Sequence, residues 1–290
     1  MRTTIYCALV LSLLPLAASA QTFPPDSAYL PMRCRNGIMT DPYRDVINAI
    51  DDLDTVGGGA DPAGLAAADN QFLYLRLRLD GDPRMGTGLL NSAWGFAFDT
   101  DGNLQTYEIL VSASGLNNQV SVYRNSATTI ADSPADLADT PPVAAFPFAT
   151  HGRVSVATGS NFGNNPDFFI TLAVPWTTLQ PLGFGPSTSV RVWAGTSSVA
   201  DALDLDLACH DGAAGSPNLS STASDPTRFG STGGSGGAGG SGGVVGPVGS
   251  DNGLEFEGGP ACSCRTAAGS DPAGAWLLLL IAIVVLRKRR

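Results

Sequence analysis

The residues best suited to chemistry in this chain are acidic and lie in short runs. Asp99-Thr100-Asp101-Gly102-Asn103 supplies three oxygen-bearing side chains within five positions. A hard cation such as Ca²⁺ takes six to eight oxygens, so Asp99, Asp101 and Asn103 make half a site, to be completed by carbonyls and water. The run is not an EF-hand, because the twelfth position counted from Asp99 is Leu110 and not glutamate. The same residue types also make a good turn, since Asp and Asn side chains accept from backbone N–H groups two residues on. Both readings stand at this point. Asp201, Asp204 and Asp206 form another acidic group, read as exposed side chains on an edge strand.

Catalytic patterns are weak. A nucleophile needs an adjacent base, most often histidine, and the chain has two histidines, His151 and His210. Ser155 and Ser160 lie near His151 in sequence, but no Gly-x-Ser-x-Gly turn holds either one. Glycosidase chemistry needs two carboxyl groups at a set separation. Glu108 is the sole glutamate in 21–229, at a position that suits a turn-stabilising role. The expectation is a protein that is not an enzyme. A binding surface is better represented: Phe72, Tyr74, Arg76 and Arg78 share one face of an alternating segment. Aromatic rings beside guanidinium groups suit sugar stacking or carboxylate pairing. They equally suit rings in a core with arginines reaching the sheet margin.

These residues must be positioned by strands. In Gln71–Asp80, Leu73, Leu75, Leu77 and Leu79 alternate with Phe72, Tyr74, Arg76 and Arg78, a strict period of two. Trp94, Phe96 and Phe98 alternate with small residues, and a second run spans Leu104–Val111, so the Asp-Gly between them predicts a hairpin. Further strands are expected at Ala63–Ala68, Gln119–Arg124, Arg153–Thr158, Phe168–Val174 and Val190–Ala194. A turn of helix is expected at Trp176–Leu179, and Tyr43–Ile50 fits helix or strand. Many short strands with regular turn signals predict an all-β fold, an antiparallel sandwich or barrel.

The ends define the rest of the organisation. Residues 1–20 have a basic start, an apolar stretch and Ala18 and Ala20 before the expected cut, the pattern of a secretory signal peptide. The folded domain is 21–229. Residues 230–261 are a Gly/Ser-rich linker, with 9 glycines in the 14 residues from Gly230 to Gly243. Its reach is roughly 30 Å as a random coil. At the far end an apolar run, 273–286, precedes Arg287-Lys288-Arg289-Arg290. As a helix it would span roughly 21 Å, short of a bilayer core of about 30 Å. The basic cluster orients that end toward the cytoplasm and the domain outward.

Among five cysteines, Cys7 leaves with the signal and Cys262 and Cys264 lie in the tail, which leaves Cys34 and Cys209 in the domain. In an exported protein such a pair predicts a disulfide. Metal ligation by either is disfavoured, because the one histidine beside them, His210, makes an incomplete ligand set. The net charge is −10, and no basic patch marks a nucleic-acid partner.

The Cys262-Ser263-Cys264-Arg265 element, the Gly274-Ala275-Trp276 start of the apolar run and the basic terminus together resemble the myxobacterial C-terminal sorting signal of the MYXO-CTERM type, over 262–290. That resemblance implies a sorting protease and anchorage to the membrane or outer surface of the envelope. Within the domain, Phe72–Pro83, Trp94–Asn103 and Phe169–Trp176 resemble the DOMON-like β-sandwiches of the carbohydrate-binding module family 9 kind, over about 60–200. The resemblance implies a jelly-roll-like sandwich, bound calcium, and a ligand that is a sugar in some members and haem in others. No sugar-sandwiching tryptophan pair is matched here, and Met85 and His151 have no paired spacing, so ligand identity does not carry over.

Overall fold

The computed structural model describes residues 21–46, 50–210 and 217–230. The expected signal segment, residues 231–261 of the linker, the sorting element with Cys262, Cys264 and Arg265, and the apolar run 273–286 lie outside the described residues.

Among the described residues the regular structure is mostly strands in antiparallel sheets, with a few short helical turns. In order they are β1 (Leu30–Pro31), β2 (Arg33–Cys34), β3 (Gly37–Ile38), β4 (Gly64–Ala68), β5 (Phe72–Leu79), β6 (Arg84–Met85), β7 (Gly88–Leu89) and β8 (Ala93–Asp99). There follow β9 (Ile109–Ser114), β10 (Gln119–Arg124), β11 (Ala144–Pro147), β12 (Gly152–Val156), β13 (Phe168–Pro175), β14 (Arg191–Ser197) and β15 (Asp206–Leu207). One sheet has the order β1-β4-β5-β13-β12 and another β11-β10-β9-β8-β14-β15, and β2-β3 and β6-β7 are small hairpins. Every pairing is antiparallel.

The alternation seen in the sequence decides which side chains meet. Leu73, Leu75, Leu77 and Leu79 of β5 and Ile170, Leu172 and Val174 of β13 enter one apolar cluster. Trp94, Phe96 and Phe98 of β8, Ile109 and Val111 of β9, and Val192 of β14 join the same cluster from the other sheet. Fully burying each such side chain stabilises the fold by about 1.5–3 kcal/mol. The opposite faces are covered as well. Ala97, Leu110, Tyr123 and Trp193 pack with Tyr107, Leu203 and Leu219 from the connections. Tyr74 and Ala173 pack with Tyr29, and Phe23 lies against them.

Two local expectations are corrected. The link between β8 and β9 is not a tight hairpin: nine residues, 100–108, intervene, and the second strand begins at Ile109 instead of Leu104. Leu104 packs against the cluster around Tyr107 and Trp193, which draws the loop over the sheet. Tyr43 and Arg44 form a turn, with Arg44 at φ 65°, so the described residues of this stretch, 43–46 and 50, are neither helix nor strand, and 47–49 lie outside the described residues. The helical turn after Pro175 is present at Trp176–Leu179.

Candidate functional site

The outer face of β5 is not open to a ligand. Tyr74, Arg76 and Arg78 are 0%, 1% and 4% exposed. The N-terminal segment covers Tyr74 and Arg76, and later loops enclose Arg78. Arg76 lies 3.6 Å over the Tyr29 ring, donates from Nη1 to Asp26 at 2.9 Å and from Nε to Thr171 at 3.1 Å. Arg78 donates to the Pro62 carbonyl at 3.1 Å and to Ser160, and lies 4.6 Å from the Phe169 ring centroid. The Tyr74 hydroxyl donates to Asp69 at 2.8 Å, and burial followed by that carboxylate holds its pKa above the phenol value. Phe72, half-buried, sits against Tyr74 and His151. The sequence reading of this face as a ligand surface is corrected on this point: its guanidinium groups are engaged inside the domain.

The loop after β8 gathers the acidic residues differently. Asp99 Oδ1 accepts from the Asp101 and Gly102 N–H groups at 3.0 and 2.6 Å, and Asp101 accepts from Asn103 N–H at 2.8 Å. These are Asx turns, as the residue types predict. One oxygen each from Asp99, Asp101 and Glu108 lie within 4.8 Å of one another. Asp99 Oδ2 is buried with no hydrogen-bond partner among the described residues. Burial raises the pKa of both Asp99 and Glu108 from their ordinary values. Glu108 reaches back to accept from Thr100 N–H at 2.7 Å and from the Thr106 hydroxyl at 3.0 Å. The sequence reading assigned Asn103 to this group and set Glu108 aside; both line an open cleft of about 540 Å³ with Asp101, Thr106, Arg124 and Asn125.

A second group was not foreseen. One ligand atom each from Asp41, Asp45, Asp206 and His210 lie within 4.8 Å of one another, and all four residues are buried. This acidic and histidine group could hold a metal ion. His210 Nδ1 is 3.5 Å from Asp41 Oδ1 and 3.3 Å from Asp45 Oδ2. Asp206 Oδ2 accepts from Thr55 N–H at 2.6 Å. Burial, reinforced by neighbouring carboxylates, raises the Asp41 pKa well above its ordinary value and that of Asp206 to about 8. Asp54 alongside, also desolvated, rises to about 6 despite accepting from Arg44 and Val46 N–H. Asp206 does lie on an edge strand, but it is 1% exposed, which corrects the reading of this acidic run as solvated.

The cysteines explain how these segments meet. Cys34 and Cys209 are joined in a disulfide across 175 residues, as cysteine usage predicts. The Cys209 N–H also donates to the Thr40 carbonyl at 3.0 Å. Cys209 sits at φ 76°, a left-handed conformation that costs a non-glycine residue about 1–2 kcal/mol. Asp41 is one residue from Thr40 and His210 one from Cys209. An Asp/Asp pair at i, i+4 after Cys34 and an Asp/His pair at i, i+4 bracketing Cys209 were the signal available in the sequence.

The remaining candidates do not assemble. His151 stacks on Phe146 at 4.3 Å and pairs with Thr150, while Ser160 accepts from Arg78. Asp204 accepts from the Ser197 hydroxyl at 2.6 Å. No protein-family model, no curated protein and no solved structure matches this chain.

Proposed function

We propose that this chain is an exported, surface-anchored, non-catalytic binding module, a jelly-roll-like β-sandwich that takes an envelope polysaccharide in the cleft at the β8–β9 loop. The observation that carries this reading is the open polar cleft lined by Asp101 and Glu108, whose carboxylates lie within 4.8 Å of an oxygen of the buried Asp99. Calcium held there by these oxygens and Asn103 has coordination positions left for sugar hydroxyls, since six to eight oxygens are needed. The exposed Arg124 at the rim suits a uronate or other acidic sugar, because its planar fork matches a carboxylate. The signal segment, the glycine-rich tether and the sorting element support display at the outer surface, where the sorting protease and the membrane are the expected partners.

A structural surface protein without a small ligand is the second reading. It is favoured by the covered outer face of β5, whose Arg76 and Arg78 are engaged internally. A glycan array probed with the purified chain in Ca²⁺ and in EGTA separates the two. Binding in Ca²⁺ that is lost in EGTA, in Asp101→Asn and in Arg124→Ala supports the module. A blank array in both conditions supports the structural reading. Turnover of an oligosaccharide that Glu108→Gln abolishes would overturn both.

A further inference from the structure

We infer that Asp41, Asp45, Asp206 and His210 form a buried site for a divalent transition-metal ion of the Zn²⁺ or Mn²⁺ class, which clamps the N-terminal segment to the C-terminal segment beside the disulfide. Three observations carry this. The first is charge. Three buried carboxylates are gathered around one imidazole whose side chain is 7% exposed. Among the described residues no arginine or lysine is in ion-pair contact with Asp41 or Asp206. Buried carboxylates are retained when they are paired or hold a metal.

The second is unmet coordination. Asp41 is 1% exposed and neither of its carboxylate oxygens has a hydrogen-bond partner among the described residues. Asp206 Oδ1 is buried without one too, while Oδ2 is fixed by the Thr55 N–H. That arrangement leaves one Asp206 oxygen available to an ion and anchors the other, as outer contacts do for metal ligands.

The third is spacing. His210 Nδ1 lies 3.5 and 3.3 Å from its two carboxylate oxygens. A charge-assisted N–H···O bond is about 2.7–2.9 Å long, whereas two donors on one tetrahedral ion at about 2.0–2.2 Å are separated by about 3.4 Å. The imidazole sets the class of ion. Calcium takes six to eight oxygens, while nitrogen together with carboxylate oxygen suits Zn²⁺ and Mn²⁺. Asp41 and Asp45 come from the segment that follows Cys34, and Asp206 and His210 bracket Cys209, so ion and disulfide hold the same two stretches.

The test measures bound metal in the chain purified without added metal or chelator, by mass spectrometry of the elements, followed by stripping and titration with Co²⁺ as a visible probe. The expected result is about one transition-metal ion per chain, and a d–d absorption band with Co²⁺. Both should fall at least tenfold in Asp206→Asn and His210→Gln and persist in Asp101→Asn, which touches only the cleft. Thiol titration confirms that the Cys34–Cys209 bond has formed in each variant. A stripped wild-type chain that takes neither Zn²⁺ nor Mn²⁺ nor Co²⁺ overturns the inference, whatever the variants do. So does calcium as the one ion bound, or equal metal retention in properly oxidised Asp206→Asn. The glycan array depends on Asp101 and Arg124, so either proposal can fail without the other.

Discussion

Arg76 and Asp206 bring opposite charges into the interior and are stabilised by different means. Arg76 spreads its guanidinium between two aromatic rings, Tyr29 and Phe169, and keeps one exposed carboxylate, Asp26, as its ion partner. A desolvated cation over a ring gains about 2 kcal/mol. Asp206 is desolvated with further carboxylates nearby, so its pKa climbs to about 8 despite a backbone donor, and Asp54 and Asp80 rise to about 6, each chiefly through burial. Groups whose folded pKa lies above the unfolded value of 3.8 contribute stability below that value and lose it as pH rises through the folded pKa. The metal-stripped chain should therefore melt higher at pH 5 than at pH 8, the reverse of ordinary acid denaturation in that window. Circular dichroism melts at the two pH values check this, and a higher melting temperature at pH 8 would contradict it.

At the scale of elements, the sequence made β5, β8, β10 and β13 legible because each alternates strictly between two environments. Leu73–Leu79 and Trp94–Phe98 mark the faces that share the main core. What alternation does not reveal is whether the opposite face meets water or a covering segment. Tyr74, Arg76 and Arg78 look like surface residues by type, yet the chain from Phe23 to Tyr29 lies over the first two, and Pro62, Ser160 and Phe169 enclose Arg78. Edge strand β11, two of whose four residues are exposed, carried no signal. The buried acid and histidine group was illegible as a motif because its halves lie far apart in the chain. The predicted disulfide was the one sequence feature that placed them together. Strand β15 reaches its position because residue 195 is glycine. Gly195 lies on β14, which pairs with β15, and a Cβ there would lie 2.2 Å from the Asp206 carbonyl oxygen of β15. Gly195→Ala should push β15 off the sheet edge and destabilise the domain by about 1–3 kcal/mol, the usual range for overpacking. Urea unfolding measures this, and an unchanged midpoint would show that β15 is not held by close backbone approach.

Over the whole molecule, the proposal combines a rigid domain with a means of display. The described β domain presents its polar cleft at the loop joining β8 to β9. The proposal gives the Gly/Ser-rich stretch 230–261 the role of the tether between that domain and the envelope. The account stands or falls on cation-dependent recognition of such a polymer. Co-sedimentation of the chain with purified cell-envelope polysaccharide, in millimolar Ca²⁺ and again in EGTA, measures it directly. The prediction is a chain that pellets with the polymer in Ca²⁺, stays in solution in EGTA, and stays in solution in both when Asp101 is changed to Asn. A chain that remains in the supernatant in Ca²⁺, or that pellets equally in EGTA and as Asp101→Asn, would contradict it.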